Sequence, residues 1–152
     1  MSSAGEILLV EDNPNDVRLT LHALAQHQIA HRVDVVRDGA EALDFLFCTG
    51  AHAQRQGSPA PLVILLDLKL PLVDGVEVLR QVKADPRTQM IPVVVLTTSA
   101  EQRDIDASYR LGANSYIVKP VDFDTFTEVM RQVGAYWLGI NQPPHVGGPV
   151  AP

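Results

Sequence analysis

Five short apolar runs constrain this chain more than any other feature: ILLV at 7–10, RVDVV at 32–36, LVILL at 62–66, IPVVVL at 91–96 and YIV at 116–118. The strongest of them are continuous rather than alternating, which suits strands covered on both faces in a parallel sheet. The segments between them have helical period. Asn13 is a suitable N-cap, Pro14 fits the first helical position, and Val17, Leu21 and Leu24 then recur on one face. DGAEALDFLF (38–47) predicts a second helix with Leu43, Leu46 and Phe47 inward. DGVEVLRQVKAD (74–85) predicts a third with Val76, Leu79 and Val82 inward, stopped by Asp85-Pro86. A fourth over 100–112 should end at Gly112, and a fifth carries Phe123, Phe126, Met130, Val133 and Trp137. A strand followed by a helix, five times over, predicts an α/β fold: a parallel five-stranded sheet with right-handed crossovers and helices on both faces. The connection over 48–61 is too long for a simple turn and reads as functional or mobile.

Composition narrows the class. At 152 residues, 46% of them apolar and 20% charged, the chain suits one globular domain with a proper core. The net charge of -6 argues against nucleic acid and against an anionic membrane surface. Cys48 is the single cysteine, so no intrachain disulfide can form, and a reducing, cytoplasmic compartment is the expectation. No signal peptide and no run of membrane-spanning length is visible. The domain is expected over 5–140, with a loose Pro- and Gly-rich tail over 141–152 and no output domain after it.

The residues just past the strands carry the chemistry. The first run ends in Glu11-Asp12, the third in Asp67, the fourth in Thr97 and the fifth in Lys119-Pro120. Ligands of an open parallel sheet bind at the carboxyl ends of its strands, where strand order reverses. Three carboxylates there repel one another and call for a cation; oxygen ligands with open positions suit Mg²⁺ shared with a phosphate. Lys119 offers a point charge for phosphate oxygens and Thr97 a hydrogen bond. An aspartate can be a nucleophile that forms an aspartyl phosphate, which makes Asp67 the candidate phosphoacceptor. Taken singly, each residue has a plain alternative: Asp12 or Glu11 as an acid at a helix N-terminus, Asp67 as a cap, Thr97 as an ordinary strand residue. It is their joint placement on one sheet edge that argues for a site.

The segments ILLVEDNPND, VILLDLKLPLVDG, VVVLTTSA and GANSYIVKP resemble, in order and spacing, the receiver domain of two-component response regulators. The resemblance covers about residues 5 to 138 and implies a flavodoxin-like fold with strand order 2-1-3-4-5. It implies that Asp67 takes a phosphoryl group from a histidine kinase. Glu11, Asp12, Asp67 and the backbone carbonyl of Lys69 would hold Mg²⁺, and Thr97 and Lys119 the phosphoryl oxygens. Tyr116 would be the switch aromatic, moving inward as Thr97 approaches the phosphoryl group, and Lys119-Pro120 would be a cis peptide, which only proline makes affordable. The family accepts phosphate for signalling and is not an enzyme in the usual sense, although it assists its own Mg²⁺-dependent phosphotransfer and dephosphorylation.

The long 48–61 loop, the LTTS tail of the fourth run and YWL near the end are similar to small regulators that partner bacterial phytochromes. Such a chain would act by contact, by onward transfer to a histidine phosphotransfer protein, or by dimerisation. Trp137, Leu138 and Ile140 are the candidate dimer surface; the alternative is that Trp137 folds back onto its own helices. A Mg²⁺-dependent phosphatase would want a second aspartate two residues after Asp67, where Lys69 stands. A receiver-shaped module that no longer takes phosphate would lack Asp67, Lys119 or the acid pair, and all are present. His22, His27, His31 and His52 read as solvated, and no Gly-rich phosphate loop or cysteine pair suggests a nucleotide or zinc site.

Overall fold

The computed structural model describes residues 7–26 and 32–146, so His27, His31 and the outer ends of the expected domain and tail lie outside the described residues. The strands are β1 (Ile7–Val10), β2 (Val33–Val36), β3 (Val63–Leu66), β4 (Val93–Thr97) and β5 (Ser115–Val118). The helices are α1 (Pro14–Gln26), α2 (Gly39–Phe47), α3 (Gly75–Ala84), α4 (Gln102–Leu111) and α5 (Phe123–Ala135). All neighbouring strands pair in parallel, and the order is β2-β1-β3-β4-β5, the expected flavodoxin-like arrangement. β1, β3 and β4 are buried throughout, which is why their sequences are continuously apolar. Residues of alternate parity feed two cores. Leu8, Val10, Ile64 and Leu66 face α2 and α3, while Ile7, Leu9, Val63 and Leu65 face α1 and α5.

Helix starts follow the expected chemistry. The Asn13 side chain accepts from the Asn15 and Asp16 amides (2.9 and 3.3 Å), and Asp38, Asp74 and Asp122 cap α2, α3 and α5. α4 ends at Gly112 with φ of 108°, the left-handed stop that the sequence announced. Some faces differ from expectation. Phe45, with Ala42, is the buried face of α2, while Leu43 and Leu46 flank it and Phe47 lies beneath the Arg87 guanidinium, 4.8 Å from the ring centroid. Phe123, the first residue of α5, is 52% exposed and does not cover the sheet.

The 48–61 connection is anchored. It contains a 3₁₀ turn over Gly50–Arg55, and the Arg55 guanidinium lies over the Phe45 ring and donates to the Phe45 carbonyl at the end of α2. His52 closes the same turn against Phe45 and Glu41 (Nε2 to Oε2, 3.1 Å). After α5 the chain makes a π-helical turn over Tyr136–Ile140. Trp137 and Leu138 fold back and pack against the α1/α5 core, which takes up much of the apolar surface expected there, whereas Ile140 remains 67% exposed.

Gly75, the first residue of α3, lies close against the backbone that follows β3. A Cβ at this position would lie 2.1 Å from the Asp67 carbonyl oxygen and 2.5 Å from Leu68 Cα. Its amide also donates to the Leu68 carbonyl at 2.7 Å. Gly75→Ala is therefore expected to lose about 2–3 kcal/mol of stability by overpacking against rigid backbone, measured by urea unfolding; a loss under about 0.5 kcal/mol contradicts this geometry.

Candidate functional site

Sheet register builds the site. Val10 pairs with Leu66, so the next residues, Glu11 and Asp67, leave the sheet side by side, with the Asp67 amide donating to the Val10 carbonyl (3.1 Å). This is the point where strand order reverses, and the crevice opens there. Thr97 pairs with Val118, and the Lys119 amide donates to the Thr97 carbonyl (2.7 Å), which aims the following lysine back across β3.

Glu11, Asp12 and Asp67 each bring a carboxylate oxygen within 4.8 Å of the others, Glu11 and Asp67 buried and Asp12 exposed. One dry wall and one wet opening suit a hard divalent cation that keeps some of its waters. Lys119, only 6% exposed at its side chain, places Nζ 2.7 Å from Glu11, 2.8 Å from Asp16 and 3.2 Å from Asp67. Burial pushes the Glu11 carboxyl up to about 7, against the hydrogen bond from Lys119. Burial works the other way on Lys119, but Asp16, Glu11 and Asp67 outweigh it and hold the ammonium above the ordinary lysine range. The Lys69 amide donates to Asp67 Oδ1 (3.3 Å), and its side chain is exposed.

Thr97 is fully buried, and its Oγ1 is the one buried side-chain polar atom among the described residues with no hydrogen-bond partner. Such a group costs about 1–3 kcal/mol, so it calls for an acceptor or donor that the chain itself does not supply. Tyr116 is half-buried, and its hydroxyl donates to the Ser99 carbonyl (2.9 Å), two residues beyond Thr97. Ser99 in turn donates to Asp104 (2.5 Å).

The structure thus brings Glu11, Asp12, Asp67, Thr97 and Lys119 to one edge, with Tyr116 behind Thr97. The cis peptide expected at Lys119-Pro120 is not formed: the bond is trans, since the described residues contain no cis bond. Proline leaves the two isomers within about 0.5–1 kcal/mol, so the residue pair permits cis without selecting it, and Lys119 reaches its carboxylates from the trans backbone. Asp16 is the residue that the sequence reading missed. Its signal was its place in the first turn of α1, where an acid reads as a simple complement to the helix dipole.

Residues 7–131 match the response regulator receiver domain. Among curated relatives, the probable methanogenesis regulatory protein FilR2 of Methanothrix harundinacea is 42% identical over 91% of this chain and 86% of its own length. Response regulator Rcp1 of Synechocystis is 42% identical over 87% of this chain and 88% of its own. Its Mn²⁺-bound crystal structure aligns with a TM-score of 0.85 at 40% identity, covering 92% of this chain and 99% of that one. The phosphorylated cyanobacterial phytochrome response regulator RcpA aligns with a TM-score of 0.86 at 42% identity, covering 93% and 99% of the two chains.

Proposed function

The chain belongs to the response regulator receiver-domain family, and on that premise we propose that it is a phosphoacceptor switch in which Asp67 takes a phosphoryl group from a histidine kinase. The observation that carries this reading is the Lys119 ammonium resting on Asp67 (3.2 Å), itself one of three clustered carboxylates with Glu11 and Asp12. In transfer, Asp67 Oδ bonds to phosphorus, the donor's bond to phosphorus breaks, and the donor keeps the electron pair. Glu11, Asp12, Asp67 and the Lys69 carbonyl would hold Mg²⁺; when bound, the ion neutralises charge on the phosphoryl oxygens. Lys119 offers its ammonium to those oxygens, and the Thr97 hydroxyl gains the partner it now lacks. The same groups can support water attack on the aspartyl phosphate, so the chain would limit its own signal lifetime.

The output runs through Thr97. As its hydroxyl is drawn toward Asp67, the chain that follows it shifts the Ser99 carbonyl, to which Tyr116 is bonded. A local charge event thereby reaches the α4–β5 face. The family's two-component role supports a cytoplasmic setting. Among the described residues, no helix is long and apolar enough to cross a membrane.

The likeness to RcpA supports a phytochrome-type kinase as the phosphodonor. Labelled phosphate should pass to this chain faster from a phytochrome histidine kinase than from an unrelated one. Equal rates from both would overturn the phytochrome assignment and leave the phosphoacceptor reading standing. A second copy of the chain is the further partner we infer, through the exposed Tyr136 and Ile140 at the π-helical turn. Light scattering should give a dimer for the intact chain and a monomer for Ile140→Asp; an intact chain that stays monomeric at high concentration overturns it.

A further inference from the structure

An ammonium group has three protons to donate, and three carboxylates surround that of Lys119. Glu11 and Asp67 belong to the acidic cluster; Asp16 stands outside it, so a cation gathered by the cluster leaves Asp16 free to keep its grip on the lysine. Glu11 lies 2.7 Å from Nζ, Asp16 2.8 Å and Asp67 3.2 Å, so Asp16 holds the lysine more closely than the phosphoacceptor does. It also joins two anchored backbones. The Asp16 amide donates to the Asn13 cap (3.3 Å), and the Lys119 amide donates to the Thr97 carbonyl (2.7 Å). A phosphoryl group on Asp67 would bring further oxygens that compete for the same three protons.

We propose that Asp16 is a positioning residue that holds the Lys119 ammonium back from a phosphoryl group on Asp67, and so limits how far the site is phosphorylated at a given donor supply. This rests on the reading of Asp67 as the phosphoacceptor. The transfer itself is unchanged: the bond from phosphorus to the donor breaks, that to Asp67 Oδ forms, and no proton leaves Lys119. What changes is the energy of the product, in which the dianionic phosphoryl group must win the ammonium from Asp16 and bear its negative charge nearby. Because the pair is buried at the lysine and only partly exposed at Asp16, it should resist screening by salt better than a surface pair.

The test compares wild type, Asp16→Asn and Asp16→Glu, each incubated with Mg²⁺ and phosphoramidate, with the phosphorylated fraction at steady state read by intact mass. Asparagine keeps the shape and loses the charge; glutamate keeps the charge and alters the shape. The ratio of phosphorylated to unphosphorylated protein should rise by about three- to tenfold in Asp16→Asn, and stay within about twofold of wild type in Asp16→Glu. The gain should persist at high salt, because a contact pair is screened less than repulsion at a distance. An unchanged or lower ratio in Asp16→Asn, an equal rise in Asp16→Glu, or a gain that salt abolishes would each overturn the proposal. A wild-type chain that takes up no phosphate at all defeats the phosphoacceptor reading instead, so the two failures are distinct.

Discussion

Asp67→Asn should take up no phosphoryl group, with the rate down by at least about a hundredfold, while its fold and melting behaviour stay close to wild type. The amide is not a nucleophile, so chemistry stops even where binding survives. Its shape is nearly that of the carboxylate, and the Lys69 amide that donates to Asp67 Oδ1 can still donate to an amide oxygen. Losing this charge removes the longest of the three contacts to Lys119 and leaves those to Glu11 and Asp16, at 2.7 and 2.8 Å. It also relieves repulsion among the clustered acids. Those two effects oppose each other, so stability should move by no more than about 1 kcal/mol. Phosphorylation of the asparagine variant at the wild-type rate would remove Asp67 from the mechanism.

Mg²⁺ should bind and stabilise the folded chain, because only the folded state gathers Glu11, Asp12 and Asp67. At a hundred times its dissociation constant the ion would add about 2.7 kcal/mol by mass action, and Asp12→Ala should remove most of that gain. pH gives the sharper form of this prediction. The Glu11 carboxyl is raised from 4.5 to about 7 in the folded chain by burial. A raised acid favours folding in its neutral form, so without metal this contribution is complete below 4.5 and is lost as pH rises through about 7. The cation needs the charged form. Its affinity should thus fall about tenfold per pH unit below pH 7, while the metal-free protein gains stability over the same interval. Titration calorimetry with Mg²⁺ at pH values above and below 7, alongside thermal melts without metal, reads both trends. Affinity that is flat with pH, or melting that is indifferent to Mg²⁺, would count against Glu11 as a ligand and against the metal site.

The sheet was legible in the sequence because β1, β3 and β4 are buried on both faces, which forces continuous apolar runs. β5 lies at the sheet edge and is only partly covered, and its run is correspondingly shorter. Helical period located α2 and α5 but did not fix their rotation. Phe45 proved more buried than Leu43 or Leu46, and Phe123, lying before the first full turn, points outward. Five of the site residues were legible because each stands at the carboxyl end of a strand or within two residues of it, where register brings them together. Asp16 was not, since its partner Lys119 lies 103 residues away and only the tertiary fold closes that gap. Gly75 was hidden for a similar reason: its role is the space that it leaves for the Asp67 carbonyl, which no spacing rule encodes. The trans Lys119-Pro120 bond shows a limit of another kind, because proline identity narrows the two isomers without choosing one.

Asp67 as the phosphoacceptor of a Mg²⁺-assisted receiver can be tested directly without a partner protein. Wild-type chain is incubated with Mg²⁺ and a small acyl phosphate or phosphoramidate, and intact mass is followed by fragmentation to locate the adduct. A single phosphoryl adduct is expected, stable in acid and labile in base, carried on Asp67 and lost when Mg²⁺ is chelated before the donor is added. An adduct on another residue, several adducts of equal yield, or none at saturating donor and Mg²⁺ would contradict it.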